Sequence, residues 1–245
     1  MTTGEAIVLD ELRRDYLDGR AALERLVPAP GRSVVLEDAG LALGRRHARL
    51  GDRLLQSLFE LRAREAREGR LQLPEGSAKT NLAEAFDAVA LGGVGGYGRS
   101  ALALGSDLDV RLVARDSASA SVVADALFYP LWDMGVPVGH LVGTVDDLLE
   151  SARTDLKAAT SLLDYRHIAG NRLFSNEIEQ RCQAGLFAHS ELPRLFSRIE
   201  DEVRELVAGV EAAEDEGVVR QAELGARGDF RIDDALAVVR LIARQ

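Results

Sequence analysis

The chain of 245 residues carries 40 acidic and 30 basic side chains, a formal charge of −10, which makes nucleic acid held by nonspecific attraction to phosphate an unlikely partner. Its 47% apolar content suffices for a buried core in one large or two modest domains, and no apolar run approaches the roughly 20 residues that span a bilayer. Cys182 is the one cysteine, which excludes an intramolecular disulfide and a cysteine-based zinc site. The start, Met1-Thr-Thr-Gly-Glu5, lacks the charged and apolar regions of a signal peptide, so the expectation is a cytoplasmic protein without membrane contact.

The first region, residues 1–77, reads as helical. Leu9, Leu12 and Tyr16 recur at helical spacing, after which Gly19 and the cluster Pro28-Ala-Pro-Gly31 break the pattern. From Asp38 a long helix follows, with Leu43, His47, Leu50, Leu54, Leu58 and Leu61 on one stripe. His47 there is a packing residue, because no acid or cysteine stands with it as a co-ligand. The arginines at 45, 46, 49, 53, 62, 64, 67 and 70 read as a solvated face. A hinge-like segment from Gly69 to Ser77 closes the region.

The second region, residues 78–144, concentrates the chemistry. An apolar run from Ala88 to Leu91 ends in five glycines within seven residues, Gly92 to Gly98, with Arg99 at the exit. This is the pattern of a strand running into a phosphate-sized turn: glycine tolerates positive φ, and the missing Cβ lets backbone N–H groups approach an anion. Arg99 adds a rigid fork of donors suited to phosphate oxygens. Asp107, Asp109 and Arg111 then alternate with Leu108, Val110 and Leu112, the period of a strand. Residues i and i+2 of a strand share a face, so the two carboxylates point toward one site and repel unless a cation sits between them. Hard oxygen ligands beside a phosphate turn favour magnesium, and the ligand inferred is a nucleoside triphosphate with its metal. Neither a P-loop nor a dinucleotide fingerprint fits. No Lys-Ser or Lys-Thr follows the glycines, and the early Asp-x-Asp strand leaves no room for a crossover helix. Strands are expected at about 88–93, 107–114 and 137–143. Between the last two lies a helix turning Val122, Val123, Ala126, Leu127, Leu131 and Met134 to the sheet, kinked or interrupted at Pro130, with Trp132 as a core anchor.

The third region, residues 145–245, reads as all-helical. Thr144-Val-Asp-Asp147 has the form of a capping box ahead of a helix. A second helix carries Leu156, Ala159, Leu163 and His167 and ends at Gly170. Further helices are expected at about 191–213 and 233–244. Lys157, Asp164 and Arg166 lie on the second of these, as salt-bridging surface residues or as contacts to a nucleotide.

Three stretches together carry a family resemblance. Gly95-Gly-Tyr-Gly-Arg99, with its spacing to Ser106-Asp-Leu-Asp109, is one. Leu131-Trp-Asp-Met-Gly-Val-Pro-Val-Gly-His-Leu-Val-Gly-Thr144 is the second, and the segment from Asp155 to Arg166 is the third. They resemble the nucleotidyltransferase domain of the PII-protein uridylyltransferase/uridylyl-removing enzyme family, within the DNA polymerase beta-like nucleotidyltransferase superfamily. The resemblance extends weakly to Asp18-Gly-Arg20 and to residues 52–58. Departures accompany it. Ser100-Ala-Leu102 stands where the family usually has Gly-Glu-Leu, Gly143 where it has an arginine, and Gly228-Asp-Phe-Arg231 where it has Gly-Gly-Leu-Arg-Asp.

The resemblance implies an α+β fold: a polymerase beta-like nucleotidyltransferase core, a small mixed sheet with helices, flanked by N-terminal and C-terminal helical regions. It implies transfer of UMP from UTP to a hydroxyl of a PII-type signalling protein, with release of pyrophosphate. Asp107 and Asp109 would be catalytic and hold magnesium, while Gly95, Gly96, Arg99, Ser100 and Ser106 would bind the nucleotide. Related transferases often place a third carboxylate on the strand after the helix, where this chain offers His140. A contact to metal or nucleotide and a plain structural role are both open for His140, as for Lys157. The alternatives are a degenerate domain that binds nucleotide or a partner without catalysis, and a transferase acting on a different acceptor.

Overall fold

A computed structural model of the chain describes residues 3–27, 39–74, 76–77 and 80–215. They fall into two compact units, Met1–Leu148 with Asp164–Glu179, and Leu149–Leu163 with Gln180–Gln245. The 233–244 helix and the Gly228–Arg231 segment expected from the sequence lie outside the described residues, as does the Pro28–Gly31 break. Among the described residues no helix is long and apolar enough to cross a membrane.

The first unit is built on a four-stranded mixed sheet. Strand β1 is Val89–Gly93, β2 is Leu108–Ala114, β3 is Val138–Thr144 and β4 is Arg166–Gly170. Their order is β3-β2-β1-β4, with β1 antiparallel to β2 and β4, and β2 parallel to β3. Parallel neighbours need a crossover connection, and helix α5, Ser117–Asp133, supplies it between β2 and β3. Asp116 caps its start, accepting the Ser119 N–H at 2.8 Å. One face of the sheet sends Val89, Leu91, Leu108, Val110 and Leu112 into a continuous apolar core. That core is shared with α5 and with α2, Ala39–Arg67, α1, Thr3–Glu24, and α3, Leu82–Asp87. Val122, Val123, Ala126, Leu127, Leu131 and Met134 are all buried, as the helical stripe requires. This is the mixed α+β architecture expected of a polymerase beta-like core.

Five expectations need correction. Gly19 does not end a helix: α1 runs through it, and a Cβ there would stand 2.6 Å from Leu50 Cδ2, so its smallness serves the crossing of α1 and α2. Arg62 leaves the solvated face and is buried, its Nη1 donating to Glu65 Oε2 at 2.8 Å. Pro130 does not interrupt α5, because Met134 N–H still reaches the Pro130 carbonyl at 2.9 Å and closes the last turn beyond it. Trp132 is 48% exposed and packs edge-on against Tyr129 rather than anchoring the core. The helix expected through His167 stops at Ser161. It is α7, Leu156–Ser161, followed by a single 3-10 turn, Leu162–Asp164, and then β4. The cause is tertiary: β1 has a second edge whose backbone groups need partners, and Arg166–Gly170 satisfies them across a bulge at Leu91/Gly92.

The second unit is helical among its described residues. Most of α6, Val145–Thr154, lies here with α7, the end of α8, Arg172–Leu186, and α9, Leu192–Asp215. It packs small apolar groups, among them Leu149, Ala152, Ala159, Leu186 and Leu195, and Arg198 Nη1 closes the α6 C-terminal turn on the Ala152 carbonyl at 3.1 Å. The capping box read ahead of α6 is present. Thr144 N–H and hydroxyl both donate to Asp147 Oδ2 at 2.8 Å, which holds that carboxyl below its usual pKa.

Candidate active site

The glycine run folds as the strand-and-turn pattern demands. β1 ends at Gly93, Val94 is extended, and Gly95–Gly98 forms one helical turn, α4. Gly95 sits at φ +57°, in the left-handed region that glycine enters without steric cost. Gly98 is required for a different reason. A Cβ there would collide with the Asp164 carbonyl oxygen and would stand 2.9 Å from that of Gly93, so two backbones meet at this residue. The N–H groups of Gly95, Gly96 and Tyr97 belong to a first helical turn, where no intrahelical carbonyl is available.

The turn is fixed to the aspartate strand by one bond: Val94 N–H donates to the Asp109 carbonyl at 3.0 Å. It continues the β1–β2 register, in which Gly93 faces Val110. The glycine turn and Asp109 are therefore adjacent by construction. Strand β2 begins at Leu108, so Asp107 stands just ahead of it and is exposed, while Asp109 is half-buried. Leu108 and Val110 point into the core, which turns the Asp109 side chain to the opposite sheet face. There it lies over Gly139, its register partner on β3. A Cβ at Gly139 would collide with Asp109 Oδ1, so the carboxylate occupies space that only glycine leaves.

Asp107 and Asp109 offer hard carboxylate oxygens, the donor type that suits magnesium. Among the described residues no group of three or more His, Cys, Asp or Glu side chains forms a ready-made cage. Magnesium takes one or two carboxylates and completes its shell with water and substrate phosphates.

The loop between turn and strand is braced from the helices. Leu102 N–H donates to the Gly44 carbonyl at 3.3 Å, Ser106 N–H to that of Ala103 at 3.1 Å, and His47 Nδ1 lies 3.0 Å from the Ala103 carbonyl. A carbonyl can only accept, so Nδ1 carries the proton and Nε2 is left to accept from the Tyr16 hydroxyl at 3.4 Å. Burial lowers the His47 pKa and favours this neutral form. His47 is thus a packing residue, as its place on the stripe suggests, and also a strut for the loop that carries Ser106 and leads into Asp107.

Arg99 Nη1 pairs with Asp164 Oδ2 at 2.6 Å, both side chains being more than nine-tenths buried, and its Nη2 stands beside Gly96. Ser100 sits at φ +56°, the left-handed region, at the position where the family pattern has glycine. His140 pairs with Val110 in the parallel register and so faces the core side. Its ring centroid lies 4.3 Å from that of Phe128, on the sheet face opposite Asp109. On β3 the residues that share the Asp109 face are Gly139, Leu141 and Gly143, none of them a carboxylate. Lys157 belongs to the second unit, exposed on α7 with its N–H held by Asp155 Oδ1 at 2.8 Å.

Sequence reasoning missed a clamp. Arg166, at the start of β4, donates from Nη1 and Nη2 to both Asp52 carboxylate oxygens at 3.0 Å, from Nε to the Gly98 carbonyl at 3.0 Å and from Nη2 to that of Tyr97 at 3.1 Å. Its guanidinium also lies 5.4 Å from the Tyr97 ring centroid. Burial, then the Asp52 charge, pushes the Tyr97 phenol well above its usual pKa, so it stays neutral. One arginine thereby ties the end of the glycine turn to α2 and to the sheet edge.

No protein-family model matches the chain. Curated relatives do. It is 35% identical over 114 residues to the bifunctional uridylyltransferase/uridylyl-removing enzyme of Bradyrhizobium sp. strain BTAi1, and 34% over 105 residues to that of strain ORS 278. It is 42% identical over 90 residues to the enzyme of the same name from Streptomyces coelicolor. These stretches cover 46, 42 and 36% of this chain and 11% of each relative. Over those stretches the chain is similar to the bifunctional uridylyltransferase/uridylyl-removing enzymes, of each of which the match spans about a tenth.

Proposed function

We propose that this chain is a magnesium-dependent nucleotidyltransferase that moves UMP from UTP to a hydroxyl of a PII-type signalling protein in the cytoplasm. The observation that carries the reading is the Val94 N–H to Asp109 carbonyl bond, which anchors the glycine turn at the carboxylate end of β2. That the relatives are uridylyltransferases supports the reaction class and the choice of nucleotide. In the reaction the acceptor oxygen forms a bond to the α-phosphorus of UTP. The bond to the bridging oxygen of the β-phosphate breaks, and pyrophosphate leaves with that electron pair.

Asp107 and Asp109 would hold the magnesium, whose charge neutralises the phosphates and eases loss of the acceptor proton. The N–H groups at Gly95 and Gly96 would cradle phosphate oxygens, with Ser106 beside them and Ser100 closing the turn. Arg99, through its pair with Asp164, would hold the turn in shape for this. The test is transfer of label from UTP, marked in the α-phosphate, onto a PII-type acceptor. Wild type labels the protein and Asp107→Asn does not. Label that persists in the variant, or that never appears on the acceptor with wild type, refutes the reading.

A second reading, a domain that binds nucleotide without turnover, is favoured by one observation: β3 carries no carboxylate on the Asp109 face. Under it UTP binds, but no acceptor in a lysate becomes labelled. A transferase for another acceptor labels a different protein in the same experiment.

A further inference from the structure

We propose that the first half of α2 is a docking surface for the acceptor protein, engaging an acidic patch on it through Arg45, Arg46, Arg49 and Arg53. The inference rests on the transferase reading for its partner and gives that partner a place on the chain. All four arginines are exposed, and they lie within about 12 Å of helix. That span is close to the Debye length, so an approaching surface meets them as one cluster of charge. Between Ala39 and Phe59 the helix has one acid, Asp52, and both of its oxygens are taken by Arg166. Arg49 Nε reaches the Arg45 carbonyl at 3.3 Å, and among the described residues no carboxylate pairs with any of the four. In a chain of net charge −10 such a stripe is a local exception.

The second half of the same helix balances its charges. Arg62 pairs with Glu65, Arg67 pairs with Asp87, and Glu60 stands four residues before Arg64. The first half does the reverse: Arg45, Arg49 and Arg53 recur at steps of four, like charges that repel along one face. Helix stability gains nothing from that arrangement, whereas association with an anionic surface does. The stripe also begins at the site. Gly44, next to Arg45, accepts the Leu102 N–H, and His47 braces the Ala103 carbonyl, so this part of α2 holds the loop that leads into Asp107. Nucleic acid, charged along its whole length, would meet the acidic remainder of the chain as well, while a folded partner needs only one acidic patch.

The test measures the affinity of the full chain for a fluorescently labelled PII-type acceptor at low and at physiological salt, in wild type, Arg49→Glu and Arg49→Lys. UTP is titrated by calorimetry in magnesium buffer, and Tm is followed for each variant. A glutamate at 49 is spaced to pair with Arg45 and Arg53, so Tm is expected to hold or rise. Arg49→Glu is expected to weaken acceptor binding roughly fivefold to fiftyfold at low salt, and less at physiological salt, with UTP affinity within about twofold. Arg49→Lys keeps the charge and is expected to stay within about threefold of wild type. Unchanged acceptor affinity in Arg49→Glu overturns the proposal, as does a loss shared by UTP together with a lowered Tm, which marks a structural role. Single-stranded RNA that binds wild type more tightly than the acceptor does, and is lost in Arg49→Glu, also overturns it and gives the stripe to nucleic acid. Wild type that binds UTP but not the acceptor removes the docking surface alone. Wild type that binds the acceptor through the stripe but no UTP keeps the surface and removes the transferase reading.

Discussion

Gly98 shows how tightly one position can be constrained. With the Asp164 carbonyl in the space a Cβ would take, Gly98→Ala must push β4's approach away from the turn, a change expected to cost about 3 kcal/mol and to appear as a lowered Tm. Ser100 runs the other way. It adopts a left-handed conformation that strains any side chain, so Ser100→Gly is expected to stabilise the chain by about 1 kcal/mol in a denaturant titration. His47 and His167 both have pKa values lowered first by burial, with the Arg172 charge assisting at His167. In the unfolded chain each takes up a proton near pH 6.5. Stability they contribute is therefore complete above that pH and is lost as the pH falls toward their folded values. Tm is expected to drop between pH 7 and pH 5, and His47→Gln to flatten that slope. The strut role of His47 was only half legible: its stripe gave the burial, but its partners, Ala103 and Tyr16, lie 56 and 31 residues away.

Strand β2 could be read from the chain because its residues alternate at period two, β1 because an apolar run leads into the glycines, and the glycine turn because five glycines crowd into its seven residues. Strand β4 could not. Leu156, Ala159 and Leu163 set a helical spacing that His167 happens to continue, and what makes Arg166–Gly170 a strand is the exposed edge of β1, a fact of three dimensions. The clamp was hidden for the same reason, since Asp52 and Arg166 are 114 residues apart. Its contribution is measurable as a double-mutant cycle on Asp52→Asn and Arg166→Met. Their side chains keep 19% and 30% exposure, so solvent screens the pair and a coupling of about 1 kcal/mol is expected; additive effects would show that the pair does not brace the turn.

Sequence and structure agree most closely on the molecule as a whole: an acidic chain with a small mixed sheet, a glycine turn bonded to the aspartate strand, and a matched stretch named for uridylyl transfer in its relatives. What composition and spacing could not supply is how the arginines pair, because Arg99 meets Asp164 and Arg166 meets Asp52 across 65 and 114 residues of chain. The central claim is that Asp109, beside the turn, works on a magnesium-bound triphosphate. The most direct measurement is the rate of pyrophosphate release from UTP with magnesium and a PII-type acceptor, compared between wild type and Asp109→Asn. The account expects release in wild type and a fall of at least about a hundredfold in the variant, with Tm preserved. Equal rates in the two proteins would contradict it.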